Sequence, residues 1–386
     1  MAKARQEGDI SLDFRGKDFS KMTEKGLADP NEQAHPLKLL ELFGGIGAPR
    51  RALQNIGYNI KSVDYVEILP FAVMAYNQMF KCGPNPQDIR IWNMSPDVVV
   101  HGSPCQDWSN EGLNNINTGR SILFERVLQI VDPDPKEGNP ELSRRPKVII
   151  WENVPRLVWS YKDVLDYYID VLDKFGYDSQ YKILTASDYN IPQDRDRVFV
   201  VSILRDAERT GEFEFPEALA PVWKLRQFID TTVDFSDPDV QLSEKERDLF
   251  FYNEEGVLCV KEGTKKGYHE VYPWQIINVA FPGSKNRRGR VGDNAKTITT
   301  GPRQAIFYDE KVRLLTSKEY LRLMGFKDSD HRKMVSAGLT NAQICTLAGN
   351  SICVPVLEQI FAELIKIGVL PRPEDTYEKK KAKGKK

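Results

Sequence analysis

Three short stretches carry groups able to make or break bonds. The first is Gly102-Ser103-Pro104-Cys105-Gln106-Asp107-Trp108-Ser109. A cysteine thiolate is a strong nucleophile reachable near neutral pH. Cys105 sits among polar, turn-forming neighbours, and Pro104 restrains the backbone before it. Cys82, Cys259, Cys345 and Cys353 read instead as buried structural cysteines. The second stretch is Trp151-Glu152-Asn153-Val154. Glu152 directly follows the apolar run VIIW, so its carboxyl is expected to be partly desolvated, with a raised pKa suited to donating or sharing a proton. The third is Gln193-Asp194-Arg195-Asp196-Arg197. Strand alternation turns Arg195 and Arg197 the same way, as two rigid donor forks. An isolated RDR is more often a self-neutralising surface cluster, but here three reactive groups fall at strand ends.

A fourth stretch is built to bind. Phe43-Gly44-Gly45-Ile46-Gly47 lets the backbone approach a ligand just before a helix N-terminus. Its spacing is not G-x-G-x-x-G, which disfavours a dinucleotide pyrophosphate and fits a nucleoside ligand such as S-adenosylmethionine. Glu67 stands where doubly wound folds set an acid against ribose hydroxyls. Asp88, after the next helix, is placed to accept a bond from an adenine amino group.

These groups need a scaffold that brings strand ends together. Residues 37–43, 60–66, 97–101, 148–151, 181–185 and 197–204 read as strands. Helices are expected at 48–56, 69–80, 121–131 and 164–175, the last closed by Gly176. Strands alternating with helices predict βαβ units and a largely parallel sheet, with reactive loops at its carboxyl edge. Near Arg205 the rhythm breaks, and residues 205–300 read as a separate lobe. Helices at 317–324 and 355–367 are expected to return to the first domain. Residues 1–36 read as a polar extension, 37–204 as the catalytic domain, 301–370 as the returning segment and 371–386 as a lysine-rich tail.

Composition narrows the class. The chain has 386 residues, 41% hydrophobic and 10% aromatic, which predicts a packed core rather than disorder. Its apolar runs fall well short of the ~20 residues that cross a bilayer, and the start carries no signal-like core. Five cysteines without CxxC spacing disfavour a disulfide scaffold or a metal ribbon and suit a reducing compartment. A net charge of −1 counts at first against a nucleic-acid partner. Divided, it reads differently. Residues 230–262 hold ten acids and three bases, while 263–313 hold ten bases and four acids, a balance of +6. Lys285, Arg287, Arg288 and Arg290 lie together in SKNRRGR, a basic loop able to meet phosphates or guanine edges.

In order, FGGIG, GSPCQDWS, WENV, QDRDRVFVV, RLLTSKEYLRLMGF and AGNSICVPVLEQIF resemble the motifs of the DNA (cytosine-5) methyltransferases. Six motifs in the right order are far more specific than any one of them. The resemblance runs from about residue 37 to 367, excluding the variable lobe. It implies an α/β fold: a Rossmann-like, S-adenosylmethionine-dependent methyltransferase sheet with a smaller, irregular target-recognition lobe at 205–300. It implies transfer of a methyl group to carbon 5 of a flipped-out cytosine in duplex DNA. Cys105 is similar to the nucleophile, Glu152 to the carboxyl at ring nitrogen 3, and Arg195, with Arg197 beside it, to the arginine that holds the base. Phe43, Gly44, Gly45, Ile46 and Gly47 match the cofactor loop, Glu67 and Ile68 the ribose side, and Asp88 and Ile89 the adenine side. Pro104, Asn350 and Ser351 complete the expected cofactor pocket. Gln106, Ser109 and the basic loop are the expected DNA contacts. Glu41, Gly44 and Ala48 stand where the family more often has Asp, Ala and Gly, and Trp108 where Phe is common. NTGRSILFE lacks the usual Asp and one Gly.

The expected setting is the cytoplasm of a bacterial or phage-infected cell, in restriction-modification or as an orphan enzyme. A monomer acting on double-stranded DNA is expected, with no metal and no membrane. An RNA cytosine-5 methyltransferase and a non-catalytic DNA-binding protein of the same fold are the alternatives.

Overall fold

The computed structural model describes residues 37–58, 60, 62–83, 86, 96–103, 123–133 and 145–376. Asp88, Ile89, Pro104, Cys105, Gln106 and Ser109 lie outside the described residues, as do residues 1–36 and 377–386.

The first half builds one sheet. Its elements are β1 (Lys38–Leu42), α1 (Ala48–Asn55), β2 (Ser62–Val66), α2 (Pro70–Phe80), β3 (Val98–His101), α3 (Leu123–Val131), β4 (Val148–Asn153), α4 (Arg156–Trp159), α5 (Lys162–Lys174), β5 (Tyr177–Thr185), β6 (Gln193–Asp194) and β7 (Asp196–Leu204). The six-stranded order is β2-β1-β3-β4-β7-β5. β3 (VVVH) and β4 (VIIWEN) are buried along their whole length, as apolar runs covered on both faces must be. The pairs β1–β2, β1–β3 and β3–β4 are parallel. β7 is antiparallel to both β4 and β5, so β5 runs with the other four strands and the sheet is largely parallel, as expected, with β7 alone reversed. The reversal matters for chemistry. Five strands running one way present their carboxyl ends at one edge, and the reversed β7 brings its amino end there too. Asn153 pairs with Val198 and Glu152 with Phe199.

The second half is a smaller lobe of short strands followed by helices. After α6 (Glu244–Arg247), β8 (Phe250–Tyr252), β9 (Leu258–Lys261) and β10 (Tyr268–Glu270) form a three-stranded sheet. β11 (Ile276–Asn278), β12 (Arg290–Gly292), β14 (Gln304–Tyr308) and β15 (Lys311–Leu314) form a second, in the order β12-β11-β14-β15. Between β12 and β14 in sequence, β13 (Ala295–Lys296) pairs in parallel with β6 in a separate two-stranded sheet, tying the lobe to the segment that leads into β7. The lobe edge expected at residue 300 falls inside this sheet, since β14 and β15 pair on with β11. A separate small core, including Leu258, Val260, Ile277 and Leu314, holds the lobe together.

The last elements are α7 (Ser317–Arg322), α8 (Asp328–Ser336), α9 (Asn341–Asn350) and α10 (Val354–Lys366). α10 lies along α1, where the Asn55 side-chain amide donates to Glu358 Oε1 at 2.7 Å. Arg51 of α1 pairs with buried Asp330 of α8. Among the described residues, the one stretch long and apolar enough to span a bilayer is Asn341–Lys366. It is two core helices, interrupted at Ser351 and mostly buried.

Candidate active site

The glycine loop leaves β1 through a tight reversal. Phe43, Gly45 and Gly47 all have positive φ, at 55°, 52° and 73°. Gly47 N–H donates to the Gly44 carbonyl at 2.8 Å, and Gly47 then opens α1. A Cβ on Gly47 would stand 2.6 Å from the rings of Tyr76 and Phe80, so glycine is required there on two counts. A Cβ on Gly44 would stand 2.7 Å from the Tyr65 ring, which occupies the room an alanine methyl would need. Tyr65 stacks on Tyr76 with centroids 3.8 Å apart, and its hydroxyl donates to the Gly45 carbonyl at 2.8 Å. Beneath them, buried Glu41 accepts from the Tyr76 hydroxyl at 2.7 Å and from Arg50 N–H at 3.2 Å. Burial pushes the Glu41 carboxyl up to about 7.

The ligand side of the loop is open. A Cβ on Gly45 would meet nothing within 4 Å. Glu67 holds Gly45 in place, its Oε2 accepting the Gly45 N–H at 3.0 Å. Its Oε1 accepts from Ile68 N–H at 2.8 Å and Leu69 N–H at 2.9 Å. Beside it the Ile68 side chain is 59% exposed, an apolar face at the rim. Open backbone, a fixed carboxylate and an apolar face together fit a nucleoside. The Ile46 side chain belongs to the core. Asn350 is exposed at the end of α9, and buried Ser351 follows it.

The reacting end lies at the tips of β3, β4 and β7. Glu152 is buried, and its Oε2 lies 3.5 Å from where a Cβ on Gly102 would be. Gly102 and Ser103 lead directly to Cys105 in sequence. Arg197 Nε faces Glu152 Oε1 at 3.2 Å. Burial raises the Glu152 pKa, and Arg197 and then Arg195 pull it part of the way back. The nearby Cys353 thiol feels both Arg195 and Glu152, and burial pushes it up to about 12, so it is not a nucleophile at neutral pH.

Both arginines act on Glu152 electrostatically, but their direct contacts differ. Arg195 is buried, and its guanidinium donates to the main-chain carbonyls of Ile298 (3.0 Å), Gly349 (3.1 Å) and Ser351 (2.8 Å). It therefore clasps the lobe entrance and the α9–α10 turn, while Arg197 faces Glu152. Gly349 packs so closely on this segment that a Cβ would stand 2.2 Å from the Thr299 carbonyl oxygen. The expectation that both forks point one way is corrected. Arg195 falls between β6 and β7, where its N–H bonds the Gln193 carbonyl at 3.0 Å and the kink breaks strand alternation.

The basic loop is fixed by two glycines. A Cβ on Gly289 would stand 2.0 Å from the Lys261 carbonyl oxygen, and one on Gly263 would stand 2.6 Å from that of Lys285. The loop thus lies against the β9–β10 turn. Lys285 and Arg290 are exposed, Arg288 is half-buried, and Arg287 sits 3.7 Å over the Phe281 ring. Several other bases of 263–313 are spent on ion pairs: Lys296 with Asp194, Arg303 with Glu246, and Arg313 with Glu319.

Comparison with known proteins decides the lineage. The family model for C-5 cytosine-specific DNA methylase matches residues 37–366. The chain belongs to that family. The methylase motifs thus span the sheet, the lobe and the returning helices. An orphan methyltransferase of Bacillus phage SPR, M.SPRI, is 24% identical, over 85% of this chain and 97% of its own. The type II methyltransferase M.HaeII of Haemophilus aegyptius is 26% identical, over 85% and 92%. The solved Entamoeba histolytica methyltransferase EhMeth shares the fold at TM-score 0.58 and 20% identity, covering 86% of this chain and 98% of its own. The sheet is therefore the methylase version of a Rossmann-like fold.

Sequence reading missed the groups beneath the loops. Tyr65, Tyr76 and Tyr168 carry no motif signal, being ordinary aromatics in mixed runs, and nothing in WENV marks the Trp151 indole as a partner of Ser103. α9 was also missed, although Thr340 and Gln343 spell a capping box, Thr340 Oγ1 accepting from Gln343 N–H at 3.3 Å.

Proposed function

We propose that this methylase transfers a methyl group to carbon 5 of a flipped-out cytosine in a specific duplex DNA sequence, with Cys105 as nucleophile. The observation that carries the reading is the Glu152–Arg197 pair set against Gly102, three residues before Cys105. Cytosine carbon 5 is a poor nucleophile until carbon 6 is attacked. The Cys105 thiolate forms a bond to carbon 6, and the ring electrons displaced toward carbon 5 and nitrogen 3 are steadied by Glu152. A carboxyl whose pKa is raised by burial holds a proton at nitrogen 3 more readily than an exposed one. Arg197 keeps that carboxyl oriented and offers its remaining donors to the base. Once carbon 5 is methylated, its proton leaves to a base, the carbon 6–sulfur bond breaks and the thiolate returns.

S-adenosylmethionine, when bound, supplies the electrophilic methyl group. Glu67 and Ile68 would hold its nucleoside, with the open backbone of Phe43–Gly47 beneath it and Asn350 and Ser351 closing the pocket. Flipping the base costs a few kcal/mol, which contacts from Lys285, Arg287, Arg288 and Arg290 to DNA help to offset. Arg195 positions the lobe and the last motif. The finer assignment is a DNA (cytosine-5-)-methyltransferase acting as a monomer, in restriction-modification or as a phage or orphan enzyme, in the cytoplasm of its host cell. Methyl transfer to duplex DNA and to transfer RNA, measured side by side, tests the substrate. Labelling of DNA is expected, and labelling of RNA alone would overturn the reading.

A further inference from the structure

Trp151 lies in β4 one residue before Glu152, and its ring is fully buried on the far side of the sheet from that carboxyl. A buried indole N–H must find an acceptor. Here it donates to Ser103 Oγ at 2.9 Å. Ser103 is buried too, and its carbonyl accepts a longer bond from the Asn153 side-chain amide at 3.4 Å. Ser103 is thus gripped at hydroxyl and carbonyl by both neighbours of Glu152. In sequence Pro104 follows, with a fixed φ, and then Cys105.

The indole is itself braced. It lies 4.3 Å from the Tyr168 ring of α5, and stacks on His101 and on Phe124 of α3, each at 5.7 Å. His101 Nε2 bonds the Tyr168 hydroxyl at 2.9 Å, and burial holds the imidazole neutral, its pKa pushed down to about 3. Two helices and two strands therefore fix one N–H against one hydroxyl at the root of the nucleophile loop.

We propose that the Trp151–Ser103 hydrogen bond is a positioning contact, setting the loop that carries Cys105 in register with Glu152 for attack on carbon 6. It rests on the methyltransferase reading above. Its effect is expected on the rate of attack, because both side chains are buried and misplacing a reacting atom by even ~1 Å can cost on the order of a hundredfold in rate.

The test uses the full chain and a duplex carrying 5-fluorocytosine at the target base. Adduct formation is followed in single turnovers, with duplex and S-adenosylhomocysteine affinities and the unfolding midpoint measured in parallel. Trp151→Phe removes the N–H and keeps most of the ring; Ser103→Ala removes the acceptor; Ser103→Thr keeps it. Trp151→Phe and Ser103→Ala are expected to slow adduct formation by about tenfold or more. Both affinities should stay within about twofold, Ser103→Thr should recover the rate, and the double variant should be no slower than the slower single one. Wild-type rates in either variant, affinity losses equal to the rate losses, or single effects that multiply in the double would overturn the proposal. Should Trp151→Phe fail to fold, the Ala–Thr pair at Ser103 decides alone. A wild-type chain that forms no adduct would instead defeat the methyltransferase reading itself.

Discussion

Replacing Arg195 and Arg197 by lysine in turn should separate two roles that the sequence presents as one. Arg195 makes three charge-assisted bonds to the carbonyls of Ile298, Gly349 and Ser351 in a buried setting. Lysine keeps the charge but cannot reproduce the fork, so at least one carbonyl loses its donor. Each orphaned buried acceptor costs about 1–3 kcal/mol, and each bond to a charged group contributes about 1.5–3 kcal/mol. Arg195→Lys should therefore lose about 2–4 kcal/mol of stability, read as a lower urea midpoint. Arg197 makes one ion pair at the rim of the site, and Arg197→Lys should shift stability by less than about 1 kcal/mol. Its methyl-transfer rate should nonetheless fall by about a hundredfold or more, the usual loss when one donor at a developing charge is removed. The reasoning fails if Arg195→Lys is as stable as wild type yet inactive while Arg197→Lys retains its rate.

Glu41 gives a pH signature. Its pKa is raised in the fold to about 7, so protonation stabilises the fold, and that stability is lost as pH rises from about 4.5 to 7. Glu41→Gln should gain on wild type by up to about 3 kcal/mol at pH 8, and no longer at pH 4; a pH-independent difference in melting would contradict this. Gly44→Ala should cost about 1–3 kcal/mol by overpacking against Tyr65, and Tyr65→Leu should recover part of it, so additive losses in chemical unfolding would refute the pairing. Neutralising Lys285, Arg288 and Arg290 together should lower the slope of log affinity against log salt by about 2–3, as expected of phosphate contacts. An unchanged slope would move the DNA surface elsewhere.

How much of this was legible in the sequence follows from where the information is local. β1, β3 and β4 are apolar runs ending in loops of glycine, proline or a lone acid, and the strands themselves could be placed from the sequence. The glycine loop was legible for the same reason, down to Glu67 beside it. The reversal of β7 was not, because strand direction leaves no mark in a buried run such as VFVVSIL. Nor was the division between the two arginines: alternation predicts a shared face, and the kink at residues 193–195 cancels it. The lobe defeats reading for another reason. Its strands span two to five residues, too few to show a period. Buried partners such as Trp151 and Ser103, or Tyr65 and Gly44, are set by packing between distant segments. The charge balance sharpened in the same way: of the +6 in 263–313, several bases fold back onto acids, and the short loop at 285–290 is the cluster proposed to meet DNA.

The most direct measurement of the central claim is a covalent trap. A duplex containing 5-fluorocytosine at the methylated position, incubated with the chain and S-adenosylmethionine, should yield a stable protein–DNA adduct, because fluorine cannot leave as the proton does. Peptide mass mapping should place the DNA on Cys105, and Cys105→Ala should form none while still binding the duplex. An adduct on another residue, or full methyl transfer by Cys105→Ala, would contradict the account.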